Sequence, residues 1–223
     1  MNLLLVAATE VEITPALSYF QQNWTSAGNL AFVKGGTNLT ICITGVGITA
    51  TTYILTKTLQ NQYDFALQAG IAGSFDTTIP LGKLVLIDRE QFGDLGAEDH
   101  YNFLDIFDLG LLQPNFAPFS GKELIAPLSP VHEKIQLPKT KGITVNSVSG
   151  SQYTIHLRSD KYNPQLESME GAAFHFVCLK ENIPFAQIRS ISNYVEPRDK
   201  SKWQIKEAII NLNKWLIDFI ESL

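Results

Sequence analysis

The stretch LTICITGVGITATTYILTKTL, running from Leu39 to Leu59, decides the fold. Leu39–Thr44 is a short, almost wholly apolar run, the composition of a strand buried on both faces of a parallel sheet. Gly45-Val46-Gly47 breaks it, and a helical pattern then runs from Gly47 to Leu59. A strand that crosses a glycine turn into a helix is half of a β-α-β unit. Similar apolar runs stand at Leu3–Ala8, Phe65–Ala69, Leu84–Ile87 and Phe185–Ile191, and a helical pattern at Glu170–Lys180 precedes the last of them. Ile205, Ile209, Leu212, Leu216 and Phe219 recur at spacings of three and four, which predicts a long amphipathic helix closing the chain. Strands alternating with helices predict an α/β fold around one central sheet. With no internal repeat and no low-complexity linker, residues 1–223 read as one domain.

Composition narrows the function. The 223 residues are 45% hydrophobic and 17% charged, which excludes wholesale disorder. The net charge is −5, and only 17 Lys and Arg are present with no dense run among them, so nucleic acid is not expected as a partner. Cys42 and Cys178 lie inside apolar runs, as small buried thiols do, and their number and spacing suggest neither a disulfide framework nor a zinc site. The opening MNLLLVAATEVEITP has no basic region, and its apolar run is too short to span a bilayer. A cytoplasmic protein without membrane contact is expected.

Residues 92–141 interrupt the alternation. Pro114, Pro118, Pro127, Pro130 and Pro138 fall here, interleaved with Phe103, Phe107, Phe116 and Phe119. A long irregular segment inside a compact domain is commonly a lid, a binding loop or an interface element. Its phenylalanines require an apolar partner.

Three features could carry chemistry. Thr9-Glu10-Val11-Glu12 follows the first strand, where ligands bind in open α/β sheets. The same carboxylates would also suit the N-terminus of the next helix through its dipole. Gly45-Val46-Gly47 and Gly70-Ile71-Ala72-Gly73 each follow a strand, where backbone N–H groups can approach a ligand oxygen or simply turn the chain. Neither has the spacing of a dinucleotide fingerprint or the lysine of a P-loop. Met169-Glu170-Gly171-Ala172-Ala173 opens a helix, and Arg189-Ser190-Ile191-Ser192-Asn193 follows one strand later. Arg189 reads as structural, pairing or snorkelling at the end of its strand. His100, His132, His156 and His175 lack metal-ligand spacing.

The order TEVE, TGVG, QAGIAGSF, ESMEGAA, RSISN resembles the nucleoside phosphorylase and nucleosidase superfamily over nearly the whole chain, and most weakly across 92–141. It is especially similar to the hydrolase branch that includes methylthioadenosine/S-adenosylhomocysteine nucleosidases. The segment Ser192-Asn193-Tyr194-Val195-Glu196-Pro197-Arg198-Asp199, with Trp203 beyond it, more closely resembles the futalosine hydrolases of the menaquinone pathway. The resemblance implies a single-domain three-layer α/β/α fold with a central mixed, mostly parallel sheet. It implies a purine nucleoside as the small-molecule partner, no metal or organic cofactor, and a homodimer or higher homo-oligomer.

By the same resemblance, Glu12 matches the general base that activates water. Glu170 matches the carboxylate that accepts from ribose hydroxyls, and Met169 its apolar neighbour. Ile71, Ala72 and Gly73 fall in the substrate-binding glycine segment, and Tyr153 falls where an aromatic residue meets the purine. Asn193 stands where the methylthioadenosine enzymes carry Asp. An amide donates at any pH to the acceptors N7 and O6 of a 6-oxopurine, so Asn193 favours hypoxanthine over adenine. The places where phosphorylases hold phosphate with Arg and Ser are Gln68 and Ile71, and no Arg precedes Arg89, so water is the expected nucleophile.

Overall fold

Strand β1 (Asn2–Ala7) sorts its side chains strictly by parity. Leu3, Leu5 and Ala7 point into one apolar cluster, and Leu4 and Val6 into another on the opposite face. A strand with apolar residues on both faces must be covered on both, and the computed structural model, which describes residues 1–60 and 62–223, shows how. After β1 come α1 (Glu10–Asn23), β2 (Thr25–Gly28), β3 (Ala31–Lys34), β4 (Thr37–Ile43) and α2 (Ile48–Thr58). Then follow β5 (Phe65–Ser74), β6 (Leu84–Phe92), β7 (Gly96–Asp99), β8 (Asn102–Asp105), β9 (Leu124–Ile125) and β10 (Lys139–Thr144). The chain finishes with α3 (Gln152–Tyr162), β11 (Leu166–Ser168), α4 (Gly171–Lys180), β12 (Phe185–Tyr194) and α5 (Ile205–Glu221).

Helices α1 and α5 cover the Leu3/Leu5 face, contributing Ile13, Phe20, Leu212, Leu216 and Phe219. Helices α2 and α4 cover the other with Leu55, Phe174, Val177 and Cys178. The result is the expected three-layer α/β/α arrangement. The sheet runs β11-β10-β6-β12-β5-β1-β4-β3-β2. Its centre is parallel (β4–β1–β5–β12), while β12–β6 and the β4–β3–β2 edge are antiparallel. β11 also pairs back onto β5, Leu166 with Ser74 and Glu167 with Gly73. β5, β12, β6, β10 and β11 therefore close into a ring.

One sequence reading needs correction. Gly70–Gly73 is not a turn after a strand ending at Ala69, because β5 continues to Ser74. A Cβ on Gly70 would collide with Arg189 and crowd Glu12, and one on Gly73 would crowd Val195 and Asn193. These glycines give room to side chains from neighbouring elements rather than turning the backbone. Gly45 and Gly47, with φ of 81° and 93°, do turn the chain into α2, as the sequence suggested.

The 92–141 phenylalanines find their partner inside the chain. Phe92, Phe107 and Phe119 pack with Phe176 of α4, with ring centroids 5.2–6.4 Å apart. Phe103 meets Tyr162 of α3, and Phe116 remains exposed. Among the described residues no helix is long and apolar enough to cross a membrane.

Candidate active site

A cavity of about 400 Å³ opens at the C-terminal ends of β1, β5 and β12, where open α/β sheets bind ligands. Glu12, Ile71, Ala72, Gly73, Met169, Glu170 and Asn193 all line it, although they come from four separate stretches of chain.

Glu12 sits in the first turn of α1 and serves the helix and the cavity at once. Its Oε2 accepts from Thr9 N and Thr9 Oγ1, both at 3.1 Å, which completes a capping box with Thr9 as N-cap. Its Oε1 accepts from Ile71 N at 3.2 Å. A carboxylate has about four lone-pair positions, so three fixed donors leave one for a ligand or water. The turn that carries Glu12 is held from outside α1. Asn213 of α5, fully buried, donates from Nδ2 to Glu12 O at 2.8 Å and accepts Ala16 N on Oδ1 at 2.9 Å. This bridge spans the turn containing Pro15, which has no N–H of its own for the helical ladder.

Glu170 is the N-cap residue of α4, 5% exposed. Its Oε1 accepts from Gly47 N at 3.0 Å, so the glycine turn after β4 holds a carboxylate from the other half of the chain. Its Oε2 lies 3.5 Å from Arg189 Nη2. Burial pushes the Glu170 carboxyl above the ordinary carboxylate range, the Arg189 charge and the Gly47 N–H pull it back, and Glu12 pushes it up again.

Arg189 is therefore not a strand-end residue. It is 1% exposed in the middle of β12, its Nη1 donates to Ile71 O at 3.4 Å, and the absent side chain of Gly70 makes its space. Among the described residues, Nε and Nη2 of this guanidinium have no hydrogen-bond acceptor.

Asn193 follows an irregularity in the β12–β5 register between Ile191 and Asn193. Its Oδ1 accepts from Ser192 Oγ at 2.9 Å, and its Nδ2 donates to Tyr194 O at 3.0 Å. One N–H of the amide stays unspent.

Tyr153 is not at this site, which corrects its sequence-based placement. It lies on the first turn of α3, about half exposed, with its hydroxyl 3.4 Å from His100 O, and lines a separate groove with Tyr101, Phe103 and His156. Ser151 caps α3 by accepting Thr154 N, and the helix turns Tyr153 outward. Val148, in the loop before α3, reaches the cavity instead.

Sequence reasoning also missed Trp203 and Arg198 as wall residues. The Arg198 guanidinium lies 4.9 Å from the Trp203 ring centroid, and both side chains line the cavity. Their signal was an aromatic and a cation in a loop between the strand bearing Asn193 and the closing helix. Glu167 lines the cavity too, but Ser149 N, Ser149 Oγ and Arg158 occupy its carboxylate at 2.7, 2.6 and 3.1 Å. It holds the loop carrying Val148.

The site thus offers two buried carboxylates, one amide donor and apolar walls. Similarity to known proteins bears on what such a site does. Residues 3–221 match the family model described as Phosphorylase superfamily. A futalosine hydrolase of Streptomyces coelicolor is 31% identical over 67% of this chain and 62% of its own length. A futalosine hydrolase of Thermus thermophilus is 30% identical over 78% of this chain and 77% of its own. The matched region thus spans less than two thirds of the first relative and more than that of the second. A structure of a futalosine hydrolase mutant of Helicobacter pylori superimposes with a TM-score of 0.80 at 19% identity, covering all of both chains. Methylthioadenosine/S-adenosylhomocysteine nucleosidases share this fold as well. The chain belongs to the phosphorylase superfamily.

Proposed function

We propose that this protein hydrolyses the N-ribosidic bond of futalosine, releasing hypoxanthine and leaving dehypoxanthine futalosine, as a cofactor-independent nucleosidase. The observation that carries this reading is Asn193 on the wall of the cavity that Glu12 and Glu170 also line. A water held on the free lone pair of Glu12 loses a proton to the carboxylate as its oxygen bonds to the anomeric carbon. The electron pair of the C–N bond passes to the purine, where the spare N–H of Asn193 meets the charge growing on N7 and O6. Glu170 accepts from the ribose hydroxyls, and these bonds strengthen as the sugar becomes cationic. The Arg189 charge pulls the Glu170 carboxyl back toward its ionised form against the effect of burial.

Adenine nucleosides such as methylthioadenosine are the alternative substrates. They fit less well, because the free group of Asn193 is an N–H donor and its oxygen already takes the Ser192 hydroxyl, which leaves the N6 amino group without a ready acceptor there. Futalosine's carboxyphenyl tail calls for an aromatic surface and a cation, and Trp203 with Arg198 supplies both. A phosphorolytic reading lacks support: Arg198 is the one Lys or Arg among the described lining residues, and it stands on Trp203 at an exposed position. A cytoplasmic homodimer, with the 92–141 segment as its lid or interface, completes the proposal; the exposed Phe116 and Leu111 fit that role. The test is incubation with futalosine in ¹⁸O-labelled water, with and without phosphate. Phosphate-independent hypoxanthine release with label on the sugar product is expected, and a requirement for phosphate would overturn the hydrolytic assignment.

A further inference from the structure

Behind Glu170 lies a second carboxyl that the reaction does not use. Glu90 of β6 is fully buried, against the first turn of α4. A Cβ on Gly171 would collide with Glu90 Oε1 and Gln187 Nε2, and one on Gly142 would crowd Glu90 as well. Glu90 Oε2 accepts from Thr144 Oγ1 at 3.0 Å, and Thr144 Oγ1 in turn accepts from Ala172 N at 2.6 Å. Glu90 Oε1 meets Gln187 Nε2 at 3.0 Å.

Beyond Gln187 the hydrogen bonding fails. His175, fully buried, has Nδ1 3.0 Å from Leu124 O, and a carbonyl only accepts, so Nδ1 carries the proton. Burial pushes this imidazole down to about 3, so it is neutral and its Nε2 is an acceptor. Both His175 Nε2 and Gln187 Oε1 are buried without a hydrogen-bond partner among the described residues. The oxygen and nitrogen ends of a carboxamide are nearly isosteric, so turning Gln187 over costs no space. Its NH₂ then donates toward His175 Nε2, and its oxygen faces Glu90 Oε1. That contact is a hydrogen bond only when Oε1 carries a proton. One proton on Glu90 therefore satisfies both orphaned atoms, while Oε2 still accepts from Thr144.

We propose that Glu90 is a positioning residue. It stands as the neutral acid at the head of a chain Glu90–Gln187–His175 and, through Thr144 and Ala172 N, fixes the turn that presents Glu170. The link to Glu170 rests on the sugar-binding reading of that residue; the proton on Glu90 does not. The charged groups facing Glu90 are Arg189 on β12 and Glu170 at the start of α4, with His175 reached across Gln187. Burial raises the Glu90 carboxyl to about 7, against the pull of Gln187, Arg189 and Thr144. Deprotonation above that pH would break the chain and set a second anion against Arg189 in competition with Glu170.

The test compares the parent protein with E90Q and E90L. Gln reproduces the neutral acid, with its NH₂ toward Gln187 and its oxygen toward Thr144. An isotope-edited infrared difference spectrum between parent and E90Q at pH 6 is expected to show a protonated carboxyl stretch that fades as pH passes 7. E90L is expected to lower kcat/KM by about tenfold or more, the cost of removing the acceptor of the Thr144 hydroxyl and the partner of Gln187 beside the site. E90Q is expected to restore the rate and to lose any fall in kcat/KM near pH 7. A carboxylate signature at pH 6, or E90Q as damaged as E90L, would overturn the proposal. The infrared readout needs no substrate, so it stands apart from the identity of the nucleoside.

Discussion

Replacing Asn193 with Asp puts the base-reading role of this amide to a quantitative test. In the parent, Oδ1 takes the Ser192 hydroxyl at 2.9 Å and Nδ2 gives one hydrogen to Tyr194 O at 3.0 Å, leaving one N–H for the ligand. An ionised Asp keeps the first bond and loses the other two. It also sets a carboxylate oxygen against the Tyr194 carbonyl, and against N7 or O6 of a bound hypoxanthine. A buried polar group left unpaired costs about 1–3 kcal/mol. At about 1.4 kcal/mol per factor of ten, Asn193→Asp should lower kcat/KM for a hypoxanthine nucleoside roughly 10- to 100-fold. An Asp can accept from an adenine amino group, so the preference should move toward 6-aminopurines even if absolute activity there stays low. The assay is the ratio of kcat/KM for futalosine to that for its 6-amino analogue, in parent and variant. An unchanged ratio would show that Asn193 does not read the base.

The other expectations follow from the same geometry. Glu12→Gln should lose about 10²- to 10⁴-fold in kcat while still binding hypoxanthine, because the proposed general base is gone; a variant with parental turnover would remove Glu12 from the chemistry. Glu170→Ala should damage turnover and ribose recognition together, and a 2′-deoxy substrate should react poorly with the parent; equal cleavage of ribo and deoxy forms would contradict the assignment. Arg198→Ala should raise KM for futalosine up to about 5-fold, the worth of an exposed ion pair, without affecting inosine. Equal effects on both substrates would place Arg198 away from the tail.

How far the sequence revealed this site varies by residue. The strands that form the sheet centre were legible because their apolar runs are short and, after Leu39–Thr44, bounded by glycine, and β1 shows burial on both faces directly. Glu12 invited two readings, helix-dipole partner and catalytic carboxylate, and the structure leaves room for both, because the residue caps α1 through Thr9 and also lines the cavity. Gly70 and Gly73 misled because a glycine that clears space for a neighbouring side chain looks the same in sequence as a glycine that turns the chain. Arg189 looked structural because its partners, Glu170 and Ile71 O, belong to elements far from it in sequence. Closure of the ring by β11, only three residues long, carries no periodicity to detect. Tyr153 was placed by the family resemblance, but Ser151 sets the helix start and so the direction in which the ring leaves.

One competition separates a hydrolase that reads a 6-oxopurine on a carboxyphenyl-bearing nucleoside from one that reads adenine. The purified protein is given futalosine and methylthioadenosine together, without phosphate, and hypoxanthine and adenine are quantified as they appear. Hypoxanthine is expected well ahead of adenine, with the selectivity reduced in Asn193→Asp. Adenine release that outpaces hypoxanthine in the parent would contradict it.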